Sequence, residues 1–154
     1  MSINLDKINR TGYIQAIKNV TENNFAQGQM VQLGDYIEGD IYEATDALDA
    51  AANKPIVLHA SVVTKDQVLR HGDELKPEQN GRGYHLETGA IITLPKTMFD
   101  DGETFAKGDL VEPQASKQTY KKVATDPTYG FAWEIIEDGV LYGEPAFTIA
   151  FIKA

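Results

Sequence analysis

The chain has 154 residues, no cysteine, and 23 acidic against 14 basic side chains, a formal net charge of −9. That length suits one domain, or two small lobes sharing a core, and buries enough surface to fold without a covalent staple. The missing cysteines exclude disulfides, thiolate catalysis and thiolate-held metals, and the net charge opposes nucleic-acid binding, since the densest basic stretch holds only three lysines in 117–122.

Residues 1–22 are polar and asparagine-rich, without the apolar segment of a secretion signal. Gly12 and the β-branched residues of "TGYIQAIKNV" weaken a helix there, so the segment reads as an extended N-terminal arm that a partner would order. Residues 23–154 read as a single β-rich domain. The phrase Phe25-Ala26-x-Gly28-x-x-Val31 returns as Phe105-Ala106-x-Gly108-x-x-Val111. A glycine between a small residue and a branched pair suits a turn that opens a strand. The recurrence suggests two related β-halves, 23–63 and 89–154, closing one core.

Turn signals follow at Gly34-Asp35, Glu38-Gly39-Asp40, Asn80-Gly81, Asp101-Gly102 and Asp138-Gly139. The alanines of 44–54 offer a helix of two or three turns, capped by Thr45 or Asp46. Branched and aromatic runs at 54–63, 89–95, 129–138 and 145–154 read as strands. In the last, Phe147, Ile149 and Phe151 alternate with Thr148, Ala150 and Ile152. The polar stretch 64–88 reads as a long loop joining the halves. No apolar run approaches the roughly 18 residues of a membrane helix.

Chemistry-bearing patterns are sparse. His59 lies inside a strand run, where a hydrogen-bonded core histidine is the ordinary outcome; His71 and His85 flank the polar loop and read as solvated. Ser61 sits two residues from His59 without a nucleophile elbow, which makes no triad. The acidic groups Asp35/Glu38/Asp40, Asp100-Asp101/Glu103 and Glu137-Asp138 read as hairpin turns, with calcium or a glycosidase carboxylate pair as the chemical alternatives. Alternation puts Tyr129, Phe131 and Trp133 on one face, either a core face or a platform for stacking sugars. No residue is assigned to catalysis, to a cofactor or to a metal, and the chain is not expected to be an enzyme.

The stretches "NGRGYHLETGAIITL" (80–94), "FAKGDLVEPQ" (105–114) and "GEPAFTIAFIKA" (143–154) resemble the head-decoration (capsid auxiliary) proteins of tailed bacteriophages. "GDIYEATDALDAAANKPIVLHASV" (39–62) is similar to the N-terminal portion of such proteins. The resemblance implies a compact β-barrel or β-tulip-like fold with an arm and at most one short helix. It implies a trimer bound to the major capsid protein on the outer face of the head, made in the host cytoplasm, with no role for nucleic acid or membrane. The polar segment 64–88 departs from that pattern, as an outward loop or a subunit contact. The alternatives are a carbohydrate- or receptor-binding β module of a virion, or a tail or neck protein.

Overall fold

A computed structural model describes residues 4–7, 14–60, 74–141 and 143–153. The expectation of a mainly β domain holds. In chain order the strands are β1 (Asn4–Lys7), β2 (Ile14–Asn19), β3 (Met30–Glu38), β4 (Ile41–Thr45), β5 (Ile56–His59), β6 (Asn80–Tyr84), β7 (Ile91–Pro95), β8 (Leu110–Pro113), β9 (Tyr120–Lys122), β10 (Phe131–Leu141) and β11 (Glu144–Lys153). They form a closed barrel, β2-β4-β3-β5-β6, and a six-stranded sheet, β1-β7-β11-β10-β8-β9. The barrel closes through one parallel pair, β2 with β4.

Two clusters of buried side chains follow from this division. Ile17, Phe25, Val31, Leu33, Ala44, Val57 and Leu75 fill the barrel. Trp133, Ile92, Leu94, Met98, Ile135, Ile149 and Phe151 form the larger core against the sheet, joined there by Met30 and Leu58 from the barrel strands. The first half of β3 (Met30–Leu33) and β5 are therefore covered on both faces, which is why "PIVL" is an unbroken apolar run rather than an alternating one. Alternation survives in β11, where Phe147, Ile149 and Phe151 are buried and Thr148, Ala150 and Ile152 only partly so.

Four expectations need correction. The turn signals Gly34-Asp35, Asn80-Gly81 and Asp138-Gly139 lie inside β3, β6 and β10, the first at a bulge against β4. Residues 14–19, expected in the arm, are barrel strand β2 with Gln15, Ile17 and Asn19 buried. Their polarity misleads because the amides are satisfied inside: Gln15 Nε2 donates to Asp40 O, and Asn19 Nδ2 donates to Asn23 O and Leu75 O. The expected helix over 44–54 is one 3-10 turn, Ala50–Ala52, capped by Asp49 rather than Thr45 or Asp46 and ended by Asn53 at φ 54°. Ala44 and Thr45 belong instead to β4, paired with β3, and the few residues left are too short to repay helix nucleation. The expected loop 64–88 contains β6, whose Gly83 leaves room for Val57: a Cβ there would meet Val57 Cγ2 at 2.5 Å. Residues 64–73, like 1–3 and 8–13 of the arm, lie outside the described residues.

The repeated phrase folds into the same turn twice. The fourth residue of the turn donates its N–H to the first, Gln29 to Ala26 O and Asp109 to Ala106 O, both at 3.1 Å. Its side chain accepts the N–H of the first, Ala26 N to Gln29 Oε1 at 2.9 Å and Ala106 N to Asp109 Oδ2 at 2.8 Å. The glycine between them has φ 90° at Gly28 and 95° at Gly108. A neighbouring strand residue then closes two backbone bonds on each turn, His59 on Gly28 and Gln29, Ile135 on Gly108 and Asp109.

Lys76–Gln79 repeats this geometry before β6, clamped by Asn19, and Glu87–Ala90 repeats it before β7, clamped by Phe151. Neither shares the phrase, so strand-opening turn chemistry is sufficient to account for the likeness. The two phrases also open strands of different sheets, β3 of the barrel and β8 of the open sheet, although Ala26 and Met30 of the first pack in the same large core as Val111 of the second.

Glu78 occupies the position of the glycine with φ 67°. Gly108→Ala adds a Cβ that meets nothing within 4 Å, so its effect is backbone strain alone, a loss of about 1–2 kcal/mol. Glu78→Gly removes the same kind of strain and gives up only an exposed ion pair with Lys18, for a gain of about 1 kcal/mol. Urea unfolding measures both; a Glu78→Gly variant no more stable than the parent would show that the turns do not share one constraint.

Candidate functional site

The histidines separate into different environments. His59 is fully buried on β5. Its Nδ1 lies 2.8 Å from Ala26 O, and because a carbonyl only accepts, Nδ1 carries the proton. The ring meets Phe25 edge-on with centroids 6.0 Å apart. From the sheet side, the buried Tyr120 hydroxyl donates to Gly28 O at 2.6 Å, and desolvation holds its pKa well above the ordinary phenol value. The turn Ala26–Gln29 is thus held from the barrel and from the sheet at once. His59 is a structural clamp, as its place in a strand run implies. Ser61 and His71 lie outside the described residues. His85 lines a groove, partly buried, with its pKa lowered by desolvation.

That groove, about 690 Å³, runs between the barrel and the sheet, lined among others by Asp49, Lys54, His85, Leu86, Tyr129 and Phe131. Of the three aromatic residues proposed as a stacking platform, only Tyr129 is substantially open. Phe131 is 7% exposed and Trp133 is fully buried, packed edge-on against Phe151 at 5.1 Å. Trp133 Nε1 has no hydrogen-bond partner among the described residues. The face is a core face that ends in one tyrosine at the groove rim.

Tyr129 is positioned by the residue before it. The buried Glu112 accepts from Thr128 N at 2.8 Å and from Thr128 Oγ1 at 2.9 Å. Desolvation first, then the carboxylates of Glu112 and Asp49, raise the Tyr129 pKa, so its hydroxyl stays protonated and able to donate at neutral pH.

Of these acidic groups, Asp100-Asp101/Glu103 is a turn, whereas Glu137-Asp138, expected as one, lies inside β10, paired with Thr148 and Phe147 of β11. Asp100 Oδ1 accepts from Gly102 N at 3.1 Å and Oδ2 from Gln114 Nε2 at 3.1 Å, and these bonds hold its pKa below the ordinary range. Glu103 accepts from Lys122 N. Asp138 pairs with Lys96 at 2.8 Å. Among the described residues no three His, Asp or Glu side chains converge in a way that could hold a metal ion.

The third acidic group is different in what it surrounds. Asp35, Glu38 and Asp40 lie at the exposed end of the β3–β4 hairpin beside Tyr36 and Ile37, which are 55% and 39% exposed. Sequence reasoning took this stretch only as a turn; the missed signal is a pair of large apolar residues set between turn-forming carboxylates. Compared with known protein families and with curated proteins, the sequence matches no family model and no curated protein. Among the described residues no helix is long and apolar enough to cross a membrane.

Burial lowers the His59 pKa from 6.5 to about 4, against the smaller opposing effect of the Ala26 hydrogen bond. The folded chain therefore binds fewer protons than the unfolded one in that range, so stability is whole above pH 6.5 and falls as the pH drops towards 4. The loss amounts to about 3 kcal/mol at most. Urea titrations across that window should show it, and His59→Gln, less stable at neutral pH, should flatten it. An unchanged slope in the variant would assign the acid sensitivity to other groups.

Proposed function

We propose that the chain is a structural virion protein that binds the outer surface of a phage capsid, as a trimer, and stabilises the shell. The observation that carries this reading is the pair of long hairpins ending in exposed apolar side chains. Tyr36 and Ile37 stand at the end of β3–β4, and Val140, 68% exposed, stands near the end of β10–β11. Tyr36 braces its own hairpin against Tyr42, but an acidic β body gains little from leaving these apolar surfaces in water; a contact with another protein gains by burying them.

Shell reinforcement needs only shallow contacts, because icosahedral repetition multiplies each one and a multivalent subunit is held by several together. The acidic surface keeps the free protein dispersed in the host cytoplasm until it docks. The sequence resemblance to head-decoration proteins points the same way, with the major capsid protein as partner. A carbohydrate- or receptor-binding module is the second reading, and the polar groove beside Tyr129 favours it. The burial of Phe131 and Trp133 leaves that groove a single open aromatic side chain, which weakens it.

The test is density-gradient sedimentation of a native lysate from infected cells, with each fraction probed for this chain. Co-migration with heads, and release on mild dissociation, is the expected result. If the chain stays in light fractions while the major capsid protein sediments, the capsid reading is wrong and glycan arrays on the soluble protein become the next experiment.

A further inference from the structure

The β3–β4 hairpin begins at the seam between barrel and sheet, where Met30 enters the large core, and runs away from it. Eight residues of extended chain separate Met30 from Glu38, so the tip stands about 25 Å from that seam. The tip is built to be rigid. Gly39 and Asp40 both have positive φ, 55° and 64°, the conformation of a tight two-residue hairpin turn whose twist matches the strands. Asp40 N donates to Tyr36 Oη at 3.3 Å, and Gln15 Nε2 donates to Asp40 O from the neighbouring strand.

The Tyr36 ring rests edge-on against Tyr42, centroids 5.3 Å apart, and Tyr42 in turn packs on the barrel core. Ile14, 50% exposed, lies at the same level of the barrel wall, two residues before Ala16, which pairs with Ile41. A large aromatic and two isoleucines are thus exposed at one end of the barrel, on a part that loses little conformational freedom when it binds. Those are the properties of an anchor in a protein interface. Val140, the apolar residue of the other hairpin, is a single aliphatic side chain.

Charge says what the anchor fits. Residues 19–53 contain seven carboxylates, Glu22, Asp35, Glu38, Asp40, Glu43, Asp46 and Asp49, and no lysine or arginine. The hairpin itself, residues 30–45, holds four of them, Asp35, Glu38, Asp40 and Glu43, while Lys18 of β2 pairs across from Glu43 and Arg82 of β6 across from Ala16. Among them, Asp35 and Glu38 flank the apolar pair along the chain, Asp40 follows at the turn, and all three are exposed. A second copy of this acidic tip, an anionic lipid surface or a nucleic acid would be repelled. A protein surface with an apolar depression rimmed by lysine and arginine would be attracted and would bury Tyr36 and Ile37.

Building on the capsid reading above, we infer that the β3–β4 tip, with Tyr36 and Ile37 flanked by carboxylates, is the docking element that seats in a basic-rimmed apolar depression of the major capsid protein. The test adds purified chain to heads that lack it and measures bound copies after pelleting. Tyr36→Ser with Ile37→Ser should weaken binding by at least about tenfold. Ile37→Ser alone, which leaves the Tyr36–Tyr42 contact in place, should weaken it less but measurably, and Val140→Ser should bind like the parent.

Neutralising these carboxylates with Asp35→Asn, Glu38→Gln and Asp40→Asn, or raising the ionic strength, should also reduce binding of the otherwise intact chain. Thermal unfolding confirms that each variant is folded. If the parent binds and both tip variants bind equally well, the docking element lies elsewhere while the capsid reading stands. If binding depends on Tyr36 and Ile37 but ignores salt and carboxylate charge, the basic rim is wrong. If the parent itself fails to bind heads, the capsid reading and this inference fall together.

Discussion

The contact on which the rest of the molecule depends is the turn Ala26–Gln29. Its four residues meet His59 of the barrel wall through two backbone bonds and the imidazole, and meet Tyr120 of the open sheet through the phenol. The loop that precedes Tyr120 adds to the same seam: Gln118 Nε2 donates to Asn24 O at 3.0 Å and Ser116 N to Asp46 O at 2.6 Å. Buried backbone polar groups must find partners or cost stability. A turn pressed between two sheets satisfies its groups from both, and so fixes where each sheet lies against the other.

From that seam the barrel's proportions follow. Five strands enclose little space, and the packing shows it: Gly83 on β6 has no room for a methyl group beside Val57. The interior takes small or slender groups, with Phe25 the large exception, and several wall positions hold amides. Those amides work as fasteners, since Gln32 Nε2 donates to Asp49 O at 2.9 Å and to Lys54 O at 3.2 Å and so pins the loop between β4 and β5. A narrow barrel with pinned loops is stiff, and stiffness is what allows one of its hairpins to extend beyond the core and keep its shape.

This also explains how far the fold was legible in the sequence. β10 and β11 were readable because one face of each carries alternating large apolar side chains, Phe131, Trp133 and Ile135 on the first and Phe147, Ile149 and Phe151 on the second. β3 was recognisable from its opening turn. β2 and β6 were not, because "IQAIKN" and "NGRGY" carry amides and glycines where aliphatic residues are the usual sign of a buried strand. Their stability comes from pairing and from side-chain amide bonds that no local pattern announces. The short helix was misread for a related reason: three alanines give propensity, but Ala44 was already committed to a strand pair with Leu33. Of the candidate chemical residues, His59 was placed correctly as a core histidine, and the Tyr129–Trp133 face could not be assigned to core or platform until its burial was known. The tip at Tyr36 and Ile37 was hidden by its own turn signals, which explain the carboxylates and the glycine but not the two large apolar side chains between them.

Those two residues define what kind of function the architecture suits. Catalysis and small-ligand binding place their working groups in a concave, partly desolvated site, a shape shared by the groove at Tyr129 and by a second one of about 780 Å³ lined by Lys96, Phe99, Phe105 and Phe147. Yet at the groove by Tyr129 the aromatic residues Phe131 and Phe151 are committed to the core, and Thr128 is engaged by the buried Glu112. The β3–β4 tip is the reverse: convex, exposed, braced from beneath by Tyr42 and Gln15, and set in the most acidic part of the chain. A convex apolar point flanked by charge has no use for a substrate, since nothing small can be enclosed by it. If it docks as proposed, it enters a depression on another protein. The partner's depression must then supply both the apolar walls and the opposite charge, which places the determinants of specificity on the partner surface as much as on this chain.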